Sequence, residues 1–221
     1  MSSETLLDLA RYFVPVILSL SWHECAHALS AHWLGDDTAK EQGRLTLNPL
    51  SHIDPFGTLL LPLVAILGHA PVLGWAKPTP FTPSRFSRRF TMDVSALLVA
   101  LAGPGSNLVL GLLCAILLSI VVHAGATSQA LLDFLGIMLR TNVFLAVFNL
   151  LPVPPLDGGR IYRAILPYSA RPALDAFERF APILLLVLFF VGPLSRALSV
   201  VISVPALFLL NGILHLVGLA S

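Results

Sequence analysis

From Val94 to Val122 the chain runs without one formally charged residue. A helix needs about 20 apolar residues to cross the ~30 Å hydrocarbon core of a bilayer, and this stretch exceeds that length. The whole 221-residue chain agrees, with 56% hydrophobic and 11% charged residues, against roughly 45–50% and about 25% in soluble domains. Such a composition excludes an ordinary water-soluble globule and, more firmly, a disordered chain. A formal net charge of +1 offers no basic face for nucleic acid. Cys25 and Cys114 are too few for a disulfide framework or a thiolate metal site. The fold class read here is an all-α polytopic membrane protein, a single membrane-embedded domain over residues 1–221.

Five to six membrane segments are expected. One runs from about Leu6 to Leu34 and a fourth from Leu131 to the Pro152–Pro155 cluster. The block from Ala181 to Leu219 allows two crossings, turning at Gly192, Pro193 and Arg196. Phe56 to Leu73 is short and broken by Pro62, Gly68, His69 and Pro71. No cleavable signal is expected, since the opening residues carry no basic cluster. Polar sections cover 35–55, 74–93 and 157–179. In the second, Pro78 and Pro80 alternate within Trp75–Phe81, which suits an extended or β-edge element near 74–81 and not a helix.

The first apolar segment carries His23-Glu24-Cys25-Ala26-His27, an H-E-x-x-H pattern. Residues four apart on a helix lie ~40° apart around the axis and ~6 Å along it. Two imidazoles so placed can grip one zinc ion, and the neighbouring glutamate can take a proton from water. A charged residue inside an apolar span costs about 2.5–3.5 kcal/mol on insertion scales, so an intramembrane Glu24 reads as functional.

A zinc site that keeps one position open needs a third protein ligand. Downstream of the third span the acidic residues are Asp133, Asp157, Asp175 and Glu178. Asp157 stands out because it follows Asn149-Leu-Leu-Pro152-Val-Pro-Pro155-Leu and precedes Gly158-Gly159. Prolines stop a regular helix, and glycines let backbone pass close to other groups. Irregular backbone at membrane depth is tolerated only where it is buried or lines a wet cavity. Glu178 stays open as the third ligand of a different membrane zinc protease.

The combination of H-E-x-x-H, the segment Ala102-Gly103-Pro104-Gly105-Ser106-Asn107 and N-x-x-P-x-x-P-x-D-G-G resembles the site-2 protease family of intramembrane zinc metalloproteases. The segments 47–55 and 74–78 resemble its short bacterial subgroup lacking a PDZ domain. The resemblance implies a catalytic core over about 6–160, followed by helical segments over about 173–219. It implies His23, His27 and Asp157 as ligands of Zn²⁺, Glu24 as general base and Asn149 as a residue that orients the substrate or steadies the oxyanion. It assigns Asn107 and Gly158 supporting or substrate-binding roles. The implied substrate is a transmembrane protein or peptide, cleaved within the bilayer of the cell membrane. A metal-binding membrane protein without proteolysis, such as a zinc carrier or inactive homologue, is the alternative. The oligomeric state and physiological substrate are not legible.

Ligand geometry also bears on topology. Were 56–73 a full crossing, the His23 helix and the helix leading to Asp157 would run antiparallel. The ligands would then stand ~15–20 Å apart, whereas each must approach the ion to ~2.0–2.2 Å. A re-entrant 56–73 makes the two helices parallel and lets the ligands meet. It also puts ten of the thirteen lysines and arginines on one side, which predicts a cytoplasmic site by the positive-inside rule. A full crossing divides them nine to four, so charge alone does not discriminate.

Overall fold

A computed structural model describes residues 3–60, 76–125 and 127–219. The described residues are helical with no strand. The elements are α1 (Ser3–Trp33), α2 (Thr38–Glu41), α3 (Met92–His123), α4 (Gln129–Asn149), α5 (Asp157–Ile165), α6 (Arg171–Phe190) and α7 (Gly192–Leu216), with short 3-10 or π turns between. Three of these, α3, α4 and α7, are long and apolar enough to cross a membrane. Among the described residues these three are the helices that meet that criterion of length and hydropathy. The C-terminal block divides at Val191, one residue before the predicted turn, and Arg196 lies inside α7.

Thr91 caps α3, its hydroxyl accepting from Val94 N. Along α3, Leu112, Leu113, Ile116, Leu117 and Ile120 are exposed, as suits a helix whose solvent is lipid. The opposite face packs on α4, where Cys114 and Ala115 meet Met138, Leu139 and Val143, with Leu209, Leu210 and Ile213 of α7 closing the cluster. Lipid tails give helices no hydrophobic reason to associate, so close packing and buried polar contacts hold them. Gly111 supplies the first, its Cβ direction meeting Asn142, Val143 and Leu139 at 3.5–3.7 Å. Asn142 supplies the second, donating to Ser19 Oγ on α1 at 2.9 Å, with both residues fully buried.

Helix directions follow from the cross-contacts. Trp22 Nε1 donates to Ser106 O at 3.0 Å and His27 Nδ1 to Val99 O at 2.7 Å, so α1 and α3 are antiparallel. Ser19 meets Met138 and Asn142, while His23 and His27 meet Asp157 beyond the end of α4, so α1 and α4 are parallel. The end of α1 and the approach to α3 share one side, where Ser87 N donates to Leu34 O at 2.7 Å. Between them, Lys77 N donates to His52 O at 2.8 Å. Of the predicted re-entrant segment, 56–60 lies in the π-helical turn Pro55–Leu60, and 61–73 lies outside the described residues.

The expected extended element is described only over 76–81. It is non-helical and pairs in no ladder among the described residues. Lys77 N–H goes to His52 O and Thr79 N–H to Glu24, and Pro78 and Pro80 have no N–H to give. An edge for an added substrate strand is therefore not on offer from these donors.

Candidate metal centre

The centre forms where α1, α3 and the start of α5 meet. One turn of α1 puts His23 and His27 on the same face, buried at 3% and 2% exposure. After α4 the chain cannot continue as helix through Pro152, Pro154 and Pro155, and it restarts at Asp157, the first residue of α5. A carboxylate there also faces the positive end of that helix. Asp157 Oδ2 lies 3.0 Å from His23 Nε2 and 3.2 Å from His27 Nε2, and the two Nε2 atoms are 3.0 Å apart. Among the described residues this is the group of three whose ligand atoms can share an ion.

The donor set fits zinc. Tetrahedral ligands ~2.0–2.1 Å from an ion stand roughly 3.3 Å from one another, close to the triangle observed. Val99 O fixes the tautomer of His27 by accepting from Nδ1, so Nε2 of the neutral ring presents a lone pair to a carboxylate oxygen. Two facing lone pairs are compatible only with a cation or proton between them, and a hydrogen bond on the far ring nitrogen is the usual support of a metal-bound histidine. Among the described residues, His23 Nδ1 and both amide atoms of fully buried Asn107 have no hydrogen-bond partner.

Gly103 closes the centre on the α3 side. A Cβ there would stand 2.6 Å from His23 Nε2 and closer still to His27 Nε2. The glycines of this helix differ in what they face. Gly111 packs against α4, whereas Gly103 faces imidazole and, among the described residues, Gly105 has nothing within 4 Å. The Gly158-Gly159 pair serves a second close approach. A Cβ on Gly158 would lie 2.5 Å from Leu150 O and closer to Leu151 O, and one on Gly159 would lie 2.8 Å from Pro154 Cγ. These glycines let α5 press against the end of α4, carrying Asp157 to the histidines.

Glu24 is buried at 9% exposure. Its Oε2 accepts from Thr79 N at 2.8 Å, and its backbone carbonyl accepts from Thr79 Oγ1 at 3.1 Å. Asn149, half-buried at the end of α4, donates one Nδ2 hydrogen to Leu145 O at 3.0 Å, which leaves its second hydrogen available. Arg160 Nη1 lies 3.7 Å from the other oxygen of Asp157. His52 and Asp54 help hold the loop after α2. His52 Nε2 donates to Thr46 O at 2.9 Å, and Asp54 Oδ1 accepts from Gly57 N at 2.7 Å. Glu178 pairs with Arg163, away from the centre.

A helical membrane protein with a buried His/His/Asp centre beside a glutamate is thus the class defined by fold and site. The family model described as Peptidase family M50 matches residues 118–192, a stretch that includes Asn149 and Asp157. "Putative zinc metalloprotease YwhC" of Bacillus subtilis (strain 168) is 44% identical over 198 residues, covering 86% of this chain and 84% of that protein. "Putative zinc metalloprotease Rip2" of Mycobacterium tuberculosis (strain H37Rv) is 34% identical over 231 residues, covering 97% and 81% respectively. Its namesake in Mycolicibacterium smegmatis is 33% identical over 185 residues, covering 81% and 66%. No solved structure matches the chain. The chain belongs to peptidase family M50, the site-2 proteases.

Proposed function

We propose that this protein is an intramembrane zinc-dependent endopeptidase that cleaves transmembrane segments, its 221 residues forming one membrane-embedded domain. The observation that carries this is the convergence of His23 Nε2, His27 Nε2 and Asp157 Oδ2 within 3.2 Å, with Glu24 beside them. These three residues would hold Zn²⁺, which when bound brings the pKa of water toward ~7 and polarises a peptide carbonyl.

The remaining work falls to the chain's own groups. Glu24, one oxygen held by the Thr79 amide, uses Oε1 to take the proton of the attacking water. It then delivers that proton to the leaving amine nitrogen as the peptide C–N bond breaks. Asn149 donates its second Nδ2 hydrogen to the developing oxyanion. Asn107, fully buried on α3 four residues after Gly103, lines the site in a supporting role. A helical substrate hides its peptide bonds in its own hydrogen bonding and must unwind locally before attack.

Purified Glu24→Gln protein is expected to keep one zinc per chain by elemental analysis and to lose cleavage of a synthetic transmembrane peptide. The loss should be on the order of 10²-fold or more, the range of a positioned acid–base group. Wild-type protein should lose cleavage to a chelator and regain it with Zn²⁺. Equal cleavage by Glu24→Gln and wild type would refute the base. Zinc binding without cleavage by either would favour the non-proteolytic alternative.

The site is assigned to the cytoplasmic side of the cell membrane, with 56–73 re-entrant. The bond between Lys77 N and His52 O supports this, since it brings the flanks of that segment to one level. The parallel course of α1 and α4 supports it independently. Leu50→Cys and Lys77→Cys should both react with an impermeant maleimide from the cytoplasmic face only. Labelling from opposite faces would exclude the re-entrant topology.

A further inference from the structure

The segment Lys77-Pro78-Thr79-Pro80 contributes nothing to the ligand set, yet it touches the proposed base directly. A residue preceding proline is held in the extended region, and the proline ring fixes its own φ. Lys77 and Thr79 both precede prolines, so their amide directions are set by the local sequence. The Lys77 amide is anchored on His52 O at 2.8 Å. The Thr79 amide meets Glu24 Oε2 at 2.8 Å, and Thr79, 2% exposed, returns its hydroxyl to Glu24 O at 3.1 Å.

The far end of the segment is pinned by a buried carboxylate. Asp36 is fully buried just past the end of α1. Its Oδ2 accepts from Thr82 N at 2.5 Å, and its Oδ1 accepts from Thr38 N and Thr38 Oγ1 at 2.9 and 2.5 Å. Thr38 Oγ1 also lies 2.9 Å from Thr82 Oγ1, whose hydroxyl can donate to it. Phe81 and Phe86 stack at 5.9 Å and pack with Ala31, Leu34 and Val99. Glu24 lies within α1 and Asp36 just past its end, so the 77–82 segment is strapped along that helix at two carboxylates.

We infer that Thr79 is a positioning residue for Glu24, its amide orienting the carboxylate, with Asp36 holding the strap that presents it. This rests on the reading of Glu24 as the general base. One oxygen tied to a backbone N–H leaves the other aimed at the reacting water, and the tie needs no side chain that a substrate could displace. Among the described residues the hydrogen bonds of Thr79 run to Glu24 alone, so it acts through that residue.

Four variants test it in the full-length protein. Thr79→Pro removes the amide hydrogen. It should lower kcat by about 10- to 100-fold, the factor expected of one hydrogen bond to an ionised group. KM should stay within about threefold, because only the reactive step is affected. Thr79→Val, which keeps the amide, should lose less, and Thr79→Ser should restore kcat. Asp36→Asn, which replaces an acceptor of Thr82 N, should lower kcat in the same sense by a smaller factor. In metal-free protein, the infrared carboxylate band that Glu24→Gln abolishes should shift in Thr79→Pro and return in Thr79→Ser.

Wild-type kcat with an unshifted band in Thr79→Pro overturns the inference. So does a rise in turnover, which would make the strap a closed latch and not a support. Should Thr79→Pro fail to fold, unchanged kcat and band in Asp36→Asn overturn it instead. A wild-type protein that cleaves nothing would sink the protease reading, while the infrared comparison would still decide whether Thr79 orients Glu24.

Discussion

Gly103→Ala is expected to strip the protein of its zinc while leaving its helices folded. The new Cβ would stand 2.6 Å from His23 Nε2 and nearer still to His27 Nε2, well inside contact distance. His27 cannot swing clear, because its Nδ1 is tied to Val99 O on the same helix, one turn before Gly103. Either the imidazoles leave the ligand triangle or α3 retreats from α1, and a misplacement near 1 Å costs on the order of 10²-fold in rate. Zinc affinity from chelator competition should fall about 100-fold or more, the upper range for disturbed metal support. Gly105→Ala is the control. Its Cβ would meet nothing within 4 Å among the described residues, so zinc content and cleavage should match wild type. Full zinc occupancy in Gly103→Ala would mean that α3 does not form the wall of the centre.

Gly158→Ala should fail differently, losing stability and zinc together. Here the obstacle is backbone, Leu150 O and Leu151 O at the end of α4, and neither can rotate aside as a side chain would. The start of α5 must lift away from α4, and Asp157, one residue earlier, moves with it. Forcing atoms into such a site costs about 3 kcal/mol or more, to be read as a lowered unfolding midpoint in detergent. Gly103→Ala and Gly158→Ala thus separate damage to the ligands from damage to the joint that delivers them. A Gly158→Ala protein with native stability would show that the α4–α5 joint has slack.

The two glycines also mark where reading the chain residue by residue stops. Spacing within one helix is covalent geometry, so the pairing of His23 with His27 and the place of Glu24 between them were legible at once. So were the charge-free third span, the halt at Pro152–Pro155 and the division of the C-terminal block near Gly192. Each depends on neighbours within a few residues. Asp157 was legible as a candidate because prolines and glycines around one carboxylate at membrane depth need a reason. Its meeting with the histidines implies parallel α1 and α4, the course the structure takes.

What crosses between helices was not written in any local pattern. Gly103 faces imidazole and Gly111 faces Asn142 because α3 lies antiparallel to α1 and beside α4, a register set by packing. Seventy-two residues separate Val99 O from the His27 Nδ1 it accepts from, and fifty-five separate Thr79 from Glu24. Pro78 and Pro80 were read correctly as marking a non-helical stretch, but the described part of it forms a strap and not the expected β-edge. Whether an extended segment pairs with a strand or caps a carboxylate depends on which acceptors the rest of the fold brings within ~3 Å of its amides. Short-range spacing therefore specified the chemical groups. Long-range packing chose their partners, since only a closed tertiary arrangement brings a distant carbonyl, glycine or amide against them.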